Sequence, residues 1–334
     1  MLDAGILVGI GILLALAFDF GNGLNDAANS VSTIVATRVL SLRSAVLIAA
    51  LFNFIAAFVF TTAVASTIGK GIVDPASVTV AIVVCGLVGS IVWVYAASWL
   101  GIPISASHSL IGGIIGSAIA GKGVGILLWN GVSTVVLFIF IAPIVGMIGA
   151  FLFSSLVVRI VSRLSPQKVN SYFKKLQLVS MSAYSLGHGT NDAQKTVGII
   201  SLLLFTGGFL GKEFYIPYWV IILSFAVIAL GTLAGGWKVI KTMGLKLTRL
   251  RPINGFCAET AGASVIFACS SFGIPVSTTH VIAGSITGVG VSNRLSSVRW
   301  PIARNILYAW FLTIPATALV SGIAYFVLSP LIGA

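Results

Sequence analysis

The sequence predicts an all-α protein that crosses a membrane several times and consists of two repeats with inverted topology. The first observation is composition, because 58% of the residues are hydrophobic and only 8% are charged, where soluble domains carry about 25% charged residues. The second is that apolar segments of about 20 residues or more, long enough to cross a bilayer, recur along the chain. The third is that two polar motifs each occur twice inside these apolar segments.

The apolar segments divide the chain into two similar halves. They occupy residues 4–37, 44–69, 77–121, 124–158 and 178–206, and then 216–237, 252–291 and 301–332. A Gly-Ile-Pro sequence interrupts two of them, at 101–103 and at 273–275, which gives five segments in each half. We therefore expect an N-terminal transmembrane repeat over 1–158, a short basic cytoplasmic loop over 159–177 and a C-terminal inverted transmembrane repeat over 178–334. No Lys or Arg precedes the first segment, which is typical of a retained span rather than a cleaved signal peptide.

The basic residues indicate how the segments cross the membrane. Of the 19 Lys and Arg residues, 15 lie in four short connections, around residues 38–43, 159–175, 238–251 and 294–304. Placing these connections in the cytoplasm, as basic loops prefer, puts the N-terminus outside. The two halves then cross in opposite directions. The net charge of +12 thus reflects topology, and we expect no nucleic-acid partner.

The first repeated motif suggests a cation site. Residues 21–32 read GNGLNDAANSVS and residues 187–198 read GHGTNDAQKTVG. Glycines followed by Asn-Asp weaken a helix, so we expect a broken helix whose free carbonyls join side-chain oxygens. Such oxygens suit a small hard cation, which would offset the roughly 2.5–3.5 kcal/mol cost of a carboxylate in the bilayer. The candidate Na⁺ ligands are Asn25, Asp26, Asn29, Asn191, Asp192 and Glu259.

The second repeated motif suggests an anion site. Residues 101–113 read GIPISASHSLIGG and residues 273–285 read GIPVSTTHVIAGS. Proline favours the first turn of a helix, and a helix N-terminus offers free N–H groups and a positive dipole to an oxyanion. We prefer re-entrant helical hairpins to two full crossings, because only a tip at membrane depth reaches the Asn-Asp motifs. The candidate anion ligands of this motif are Ser105, Ser107, Ser277, Thr278 and Thr279. The second Asn-Asp motif adds Gln194, Thr196 and Lys195, and Lys195 could either complement the anion or neutralise a neighbouring carboxylate.

Two histidines recur at matched positions of the second motif. His108 and His280 could carry a proton or take part in gating, or they could merely bond a carbonyl near the helix start. Together with Glu259 they keep H⁺ open as the coupling ion, whereas the oxygen-rich motifs favour Na⁺.

At these motifs the chain resembles the inorganic phosphate transporter (PiT) family. That family carries a duplicated signature of the form G-x-N-D-x-x-(N/K), which GNGLNDAANS and GHGTNDAQKT match, and the Gly-Ile-Pro segments resemble its paired hairpins. The resemblance covers essentially the whole chain. It implies uptake of inorganic phosphate coupled to Na⁺ or H⁺ by a homodimer. The short central loop differs from the large intracellular domain of some relatives, so regulation through such a domain is not expected.

The sequence thus predicts a symporter that imports inorganic phosphate with Na⁺ by alternating access, in the plasma (inner) membrane. It predicts no cofactor beyond the coupling ion and no enzymatic activity. The alternatives are coupling to H⁺, sulfate as the anion, and an anion channel that needs neither carboxylate. An enzyme acting on a phosphorylated lipid would need an activated nucleophile or a metal-bound water, and the two separated histidines with no acidic cluster do not suggest one.

Overall fold

The computed structural model describes residues 3–59 and 61–332, and within these residues it contains twelve α-helices and no β-strand. The outermost residues of the two predicted repeats, 1–2 and 333–334, lie outside the described residues, as does residue 60. The helices are α1 (Ala4–Ala36), α2 (Leu42–Ile55), α3 (Ala63–Gly71), α4 (Val80–Leu100), α5 (Ala106–Lys122), α6 (Trp129–Val161), α7 (Pro166–Thr206), α8 (Tyr218–Ala234), α9 (Trp237–Lys241), α10 (Pro252–Ser271), α11 (Thr278–Asn293) and α12 (Trp300–Ile332).

Helices α1–α6 and α7–α12 follow the same order. Each set has a long helix with the Asn-Asp motif, a bent pair, a pair joined at Gly-Ile-Pro, and a 33-residue helix with an internal proline. Each half therefore has six helices, not the five predicted, because α2–α3 and α8–α9 bend by 80° and 66°. Hydropathy does not detect such a turn, since the residues on both sides of it are apolar.

The predicted breaks at the two Gly-Ile-Pro sequences are confirmed. Helix α4 ends at Leu100 and α5 begins at Ala106, while α10 ends at Ser271 and α11 begins at Thr278. Gly101 and Gly273 adopt φ values of 74° and 68°, the left-handed conformation that ends a helix at little cost for glycine. The following prolines lack the N–H that a continuing helix would need.

The prediction of a broken helix at the Asn-Asp motifs is wrong. Both α1 and α7 run without interruption through residues 21–32 and 187–198. The amides of Asn25 and Asn191 bond side chains of other helices and so do not compete with their own backbone. The glycines of the motifs serve as contact points between helices, as shown below.

The expected central loop over 159–177 is mostly helical. Helix α6 continues to Val161 and α7 already begins at Pro166, so only residues 162–165 connect them. Pro166 occupies the first turn of α7, where its missing N–H removes no helical hydrogen bond. The basic residues of this region therefore extend two helices rather than forming a flexible connection.

Glycines allow the helices to pack with their backbones in contact. Helix α5 packs along α12 and α11 packs along α6. A Cβ added at Gly116 would lie 2.0 Å from the Ala318 carbonyl oxygen, and one at Gly288 would lie 2.1 Å from that of Met147. Such close contact through glycine is typical of helices in a bilayer.

Several helices have the length and composition of membrane spans. Helices α1, α4, α6 and α12 each qualify by themselves, and the two bent pairs qualify when each is taken as one span. The exposed surfaces of α6 and α12 consist largely of Leu, Ile, Val and Phe, which is the surface that lipid chains accept.

We predict that Gly23→Ala destabilises the bundle where α1 crosses α8. The added Cβ would lie 2.3 Å from the Ile228 carbonyl oxygen, and overpacking of this kind costs about 1–3 kcal/mol. Gly9→Ala is the matched control on the same helix, because no atom lies within 4 Å of its added Cβ. Thermal unfolding of the purified protein in detergent should show a lower midpoint for Gly23→Ala alone. Equal midpoints would contradict the backbone contact.

Candidate ion and anion site

The two Asn-Asp motifs meet where α1 packs against α7. Asp26 and Asp192 are both buried, and with His188 they place one ligand atom each within 4.8 Å of the others. Two carboxylates held this close in an apolar interior repel each other unless cations or hydrogen bonds stabilise them. The surroundings of the two aspartates show how each is stabilised.

Asp192 has a complete set of partners. The Lys195 ammonium donates to its Oδ1, Thr278 Oγ1 donates to its Oδ2 at 2.8 Å, and His188 Nε2 lies 3.2 Å from the same oxygen. Lys195 is only 1% exposed, and burying an ammonium is tolerated only when it is paired. Asp192 and Lys195 therefore compensate each other.

Lys195 also joins the two hairpins formed by α4–α5 and α10–α11. Its Nζ donates to Ser107 Oγ at the start of α5 and, at 2.8 Å, to the Val276 carbonyl oxygen before α11. Ser107 Oγ lies 3.5 Å from the same carbonyl oxygen. The two hairpin tips thus meet at one ammonium group beside the aspartates.

Asp26 has no basic partner among the described residues, whose ion pairs both involve Asp192. Its contacts are with hydroxyl groups: Thr279 Oγ1 donates at 3.2 Å, and Thr278 Oγ1 lies at 3.5 Å. Asn29 Nδ2 donates to both threonines, at 2.9 and 3.2 Å. Asp26 is therefore a buried carboxyl group that no cationic side chain of the described residues contacts.

Three amide oxygens on α1 lack partners within the described part of the chain. Two of them are Oδ1 of Asn25 and Oδ1 of Asn29, both buried and both near Asp26, and the third is Oδ1 of Asn22. The equivalent of Asn25 in the second half, Asn191, instead accepts a hydrogen bond from Val276 N at 3.2 Å. A buried acceptor without a hydrogen-bond donor is costly. The amide oxygens on α1 are therefore open to a ligand, whereas the Asn191 oxygen on α7 already accepts a hydrogen bond.

The amide nitrogens of the same residues anchor the ends of the hairpins in a symmetric way. Asn25 Nδ2 donates to Ser98 Oγ on α4, and Asn191 Nδ2 donates to Ser270 Oγ on α10, each at 2.9 Å. Ser98 and Ser270 are 172 residues apart, the same offset as the two Gly-Ile-Pro sequences. Equivalent residues of the two halves thus make equivalent contacts.

The second repeated motif begins a helix at the site in both halves. Ser105 Oγ caps α5 by accepting from His108 N at 3.1 Å, and Ser277 Oγ caps α11 by accepting from His280 N at 3.3 Å. The first N–H groups of a helix have no partner within the helix. The rings of His108 and His280 lie 4.6 Å apart between the two helix starts.

The structure does not bring two of the predicted anion ligands to this site. The Gln194 amide bonds the backbone around the start of α3, at Thr61 and Ala65, and Thr196 donates to Asp19 Oδ1 at 2.8 Å. Successive side chains on a helix differ by about 100° in direction, so residues three apart share a face and their direct neighbours do not. Only one face of α7 reaches the hairpins.

Glu259 lies in a separate polar cluster and does not join the aspartates. It accepts hydrogen bonds from Thr33, Gln177 and Ser180. Thr33 follows Asp26 by seven residues, which is about 10 Å along α1. Glu259 thus lies apart from the two aspartates, and its role as a cation ligand or proton carrier stays a prediction.

His188 is a member of the site that the sequence reasoning missed. It precedes Asp192 by four residues, a helical spacing that could have revealed the contact. Its Nδ1 lies 3.1 Å from Asn53 Oδ1 on α2, and Asn53 Nδ2 donates to Thr232 on α8. The first half carries Asn22 at the equivalent position, so the two halves differ here.

Two helical hairpins, each interrupted at a Gly-Ile-Pro sequence, meet two buried carboxylates inside a helical membrane bundle. This is the architecture of a secondary transporter. The chain belongs to the phosphate transporter family (PHO4), whose family model matches residues 22–321. It is therefore a phosphate transporter and not an enzyme, and its multi-pass membrane character follows from the same membership.

Individual relatives match over nearly the whole chain. A protein of Rhizobium meliloti (strain 1021) named "probable low-affinity inorganic phosphate transporter" is 52% identical over 321 residues, covering 96% of each chain. One of Bacillus subtilis (strain 168) with the same name is 41% identical over 320 residues, covering 95% of this chain and 96% of its own. A solved structure described as "the sodium-dependent phosphate transporter" superposes with a TM-score of 0.87 at 27% identity, covering 97% of this chain and 99% of its own.

We predict that Lys195→Met lowers stability far more than a typical substitution. Removing one partner of a buried ion pair costs about 3–5 kcal/mol, because the other charge is left uncompensated. The double variant Lys195→Met/Asp192→Asn should recover most of this loss, since neither charge of the pair then remains. Unfolding in detergent measures all three proteins. A double variant as unstable as the single one would contradict the pairing.

Proposed function

We propose that the protein imports inorganic phosphate together with Na⁺, by alternating access around the paired aspartates. Phosphate transport follows from the family. The coupling ion, the direction of transport and the residues responsible are our proposal. The observation that carries it is Asp26, a buried carboxylate with no cationic partner among the described residues.

A cation beside Asp26 would complete the interactions that the protein leaves open. The Oδ1 atoms of Asn25 and Asn29 are buried without partners, and the hydroxyls of Thr278 and Thr279 already contact Asp26. Carboxylate, amide and hydroxyl oxygens are ligands that suit a hard cation. At the equivalent place in the other half, Lys195 supplies the positive charge to Asp192. Asp26 therefore needs an ion where Asp192 has an ammonium group.

Phosphate would bind where α5 and α11 begin. The uncapped N–H groups of both helix starts and their dipoles favour an anion. Ser107 and Thr279, equivalent residues 172 positions apart, add hydroxyl groups, and Lys195 adds a positive charge that already contacts Ser107. Asp192 and Asp26 can accept hydrogen bonds from a protonated phosphate, which sulfate cannot donate.

The geometry also provides a reason for coupling the two solutes. Thr278 and Thr279 belong to the proposed anion site and also contact Asp26. Without a cation, the charge of Asp26 would repel phosphate at this short range. A Na⁺ ion at Asp26 would remove that repulsion, so that each solute would strengthen the binding of the other.

We further propose an inverted repeat, alternating access, a membrane orientation and a homodimer. The repeated helix order and the matched Ser98 and Ser270 contacts support two halves of inverted topology. Alternating access then involves one half moving against the other around the site. We place the protein in the plasma membrane with the N-terminus outside and the basic connections in the cytoplasm. We also propose that it forms a homodimer.

Uptake of [³²P]phosphate into proteoliposomes tests the coupling ion. We expect a Na⁺ gradient to drive uptake and its replacement by K⁺ to abolish it. Asp26→Asn should lose the Na⁺ dependence, because the neutral amide neither needs nor attracts a cation. Asp74→Asn is the matched control, since among the described residues the Asp74 carboxylate accepts hydrogen bonds from its own turn alone, at Ala76 and Ser77.

Other outcomes would redirect the assignment. Uptake driven by a pH gradient without Na⁺ would replace Na⁺ by H⁺ as the coupling ion. Uptake in Asp26→Asn with unchanged Na⁺ dependence would reject Asp26 as the cation ligand. Passive phosphate flux without any cation dependence would indicate a channel.

We predict that Thr278→Val lowers phosphate uptake while Thr278→Ser retains it. Valine keeps the shape but leaves Asp192 Oδ2 without the hydroxyl donor that lies at 2.8 Å. The loss of a hydrogen bond to a charged group is worth about 1.5–3 kcal/mol, or roughly a tenfold or greater rise in the phosphate KM. Initial rates over a range of phosphate concentrations measure this. Equal KM values for the two variants would exclude a role for the hydroxyl.

A further inference from the structure

A cavity lies on the outer surface of the bundle, away from the aspartates. It has a volume of about 230 Å³ and is formed by α6, α11 and α12, with Phe140, Met147, Ala283, Ala303, Leu307 and Trp310 among its lining residues. The polar side-chain atoms of this lining all have internal partners: Thr287 bonds the Ala283 carbonyl, and Trp300 and Trp310 bond the carbonyls of Leu295 and Pro103. The cavity therefore offers an apolar ligand a surface without free polar groups.

The cavity opens towards the hydrocarbon of the bilayer. Phe140, Ile144, Leu307 and Phe311 line it and are each between 44% and 53% exposed. Side chains of this kind on the outside of a membrane bundle face lipid. A molecule that enters the cavity thus comes from the bilayer rather than from water.

One end of the cavity carries positive charge. Trp300, Leu307 and Phe311 line it from α12, and Arg304 lies on the same helical face, four residues after Trp300 and three before Leu307. Arg299 and Lys246 are also at this end, because Arg299 N donates to the carbonyl of Leu247, a lining residue. All three basic residues are exposed, and no carboxylate of the described chain pairs with them.

The other end of the cavity reaches the transport site. Trp310 lines the cavity and stacks on His280, with ring centroids 3.6 Å apart. Its Nε1 donates to the Pro103 carbonyl oxygen at 3.2 Å, so the same side chain contacts both hairpins. Trp300 and Trp310 are about 15 Å apart along α12. The cavity thus connects the basic end of the helix with the tips of the hairpins.

From these contacts we propose that the cavity binds an acyl chain of an anionic phospholipid. The chain lies against Trp310, and the headgroup phosphate lies between Lys246, Arg299 and Arg304. Basic groups beside an apolar pocket at a membrane surface are the features that recognise such lipids. Because Trp310 contacts both hairpins, occupancy of the cavity changes the rate of transport.

A second copy of the chain fits this surface less well. In a two-fold symmetric contact the same patch lies on both subunits, and contact at this face would bring two unpaired basic clusters together. An anionic lipid neutralises the cluster instead.

Lipid binding can be measured without transport, so that its outcome is independent of the proposed function. Native mass spectrometry of the purified protein, titrated with phosphatidylglycerol or phosphatidylcholine, gives the apparent affinity of each. We expect phosphatidylglycerol to bind more tightly. Arg299→Ala and Arg304→Ala should each weaken it about fivefold, the effect of one basic group at a membrane surface. Arg163→Ala and Lys168→Ala are the controls, because these exposed residues follow the last lining residue of α6, Met147, by 16 and 21 positions.

A cavity-filling variant tests the position of the acyl chain. Ala303→Trp should reduce binding of both lipids, and proteoliposome uptake should then no longer respond to the phosphatidylglycerol content. Equal affinity for the two lipids, or full binding by Arg299→Ala/Arg304→Ala, would overturn the proposal. So would a change from dimer to monomer in Ala303→Trp with unchanged lipid binding, because the face would then be a contact between subunits. The arginine variants alter only exposed side chains, so folding does not limit the test.

Discussion

The structure depends on two buried carboxylates that lie side by side with only one protein cation between them. Asp26 and Asp192 come from different halves of the chain, and Lys195 compensates one of them. Uncompensated charge in an apolar interior is so costly that the surrounding polar groups must be arranged around it. The hydroxyls of Thr278 and Thr279 point at the aspartates for this reason, and the lack of a cationic partner at Asp26 among the described residues is the basis of the proposed ion site.

The helix packing serves this arrangement. The hairpin helices α5 and α11 are short, and their tips reach the aspartates because glycines let them lie directly against α12 and α6. A contact between α12 and the start of α11 also connects the site with the outer surface of the bundle. Trp310 belongs to α12, yet it stacks on His280 at the start of α11. The Trp310 side chain thus lies between the bilayer face and the start of α11, at the proposed anion site.

Much of the fold and part of the site could be predicted from the sequence. The helix breaks were predictable because Gly101 and Gly273, each followed by a proline, impose local conformations that the rest of the protein does not override. The continuity of α1 and α7 was not, because it depends on partners such as Ser98 and Ser270 that lie 70 or more residues away. Gln194 shows the same limit, since its neighbour Lys195 contacts Asp192 while the amide of Gln194 bonds the backbone around the start of α3.

By itself, the sequence determined that each half supplies one Asn-Asp motif and one Gly-Ile-Pro helix start, because residue type and local backbone preference are properties of the chain. Only the tertiary structure decided that Lys195 compensates Asp192, that no cationic side chain of the described residues contacts Asp26, and that Glu259 lies apart from both. These relations depend on which helix faces meet, and a difference of one residue along a helix turns a side chain by about 100°. The two motifs are alike in sequence, and packing made them unequal.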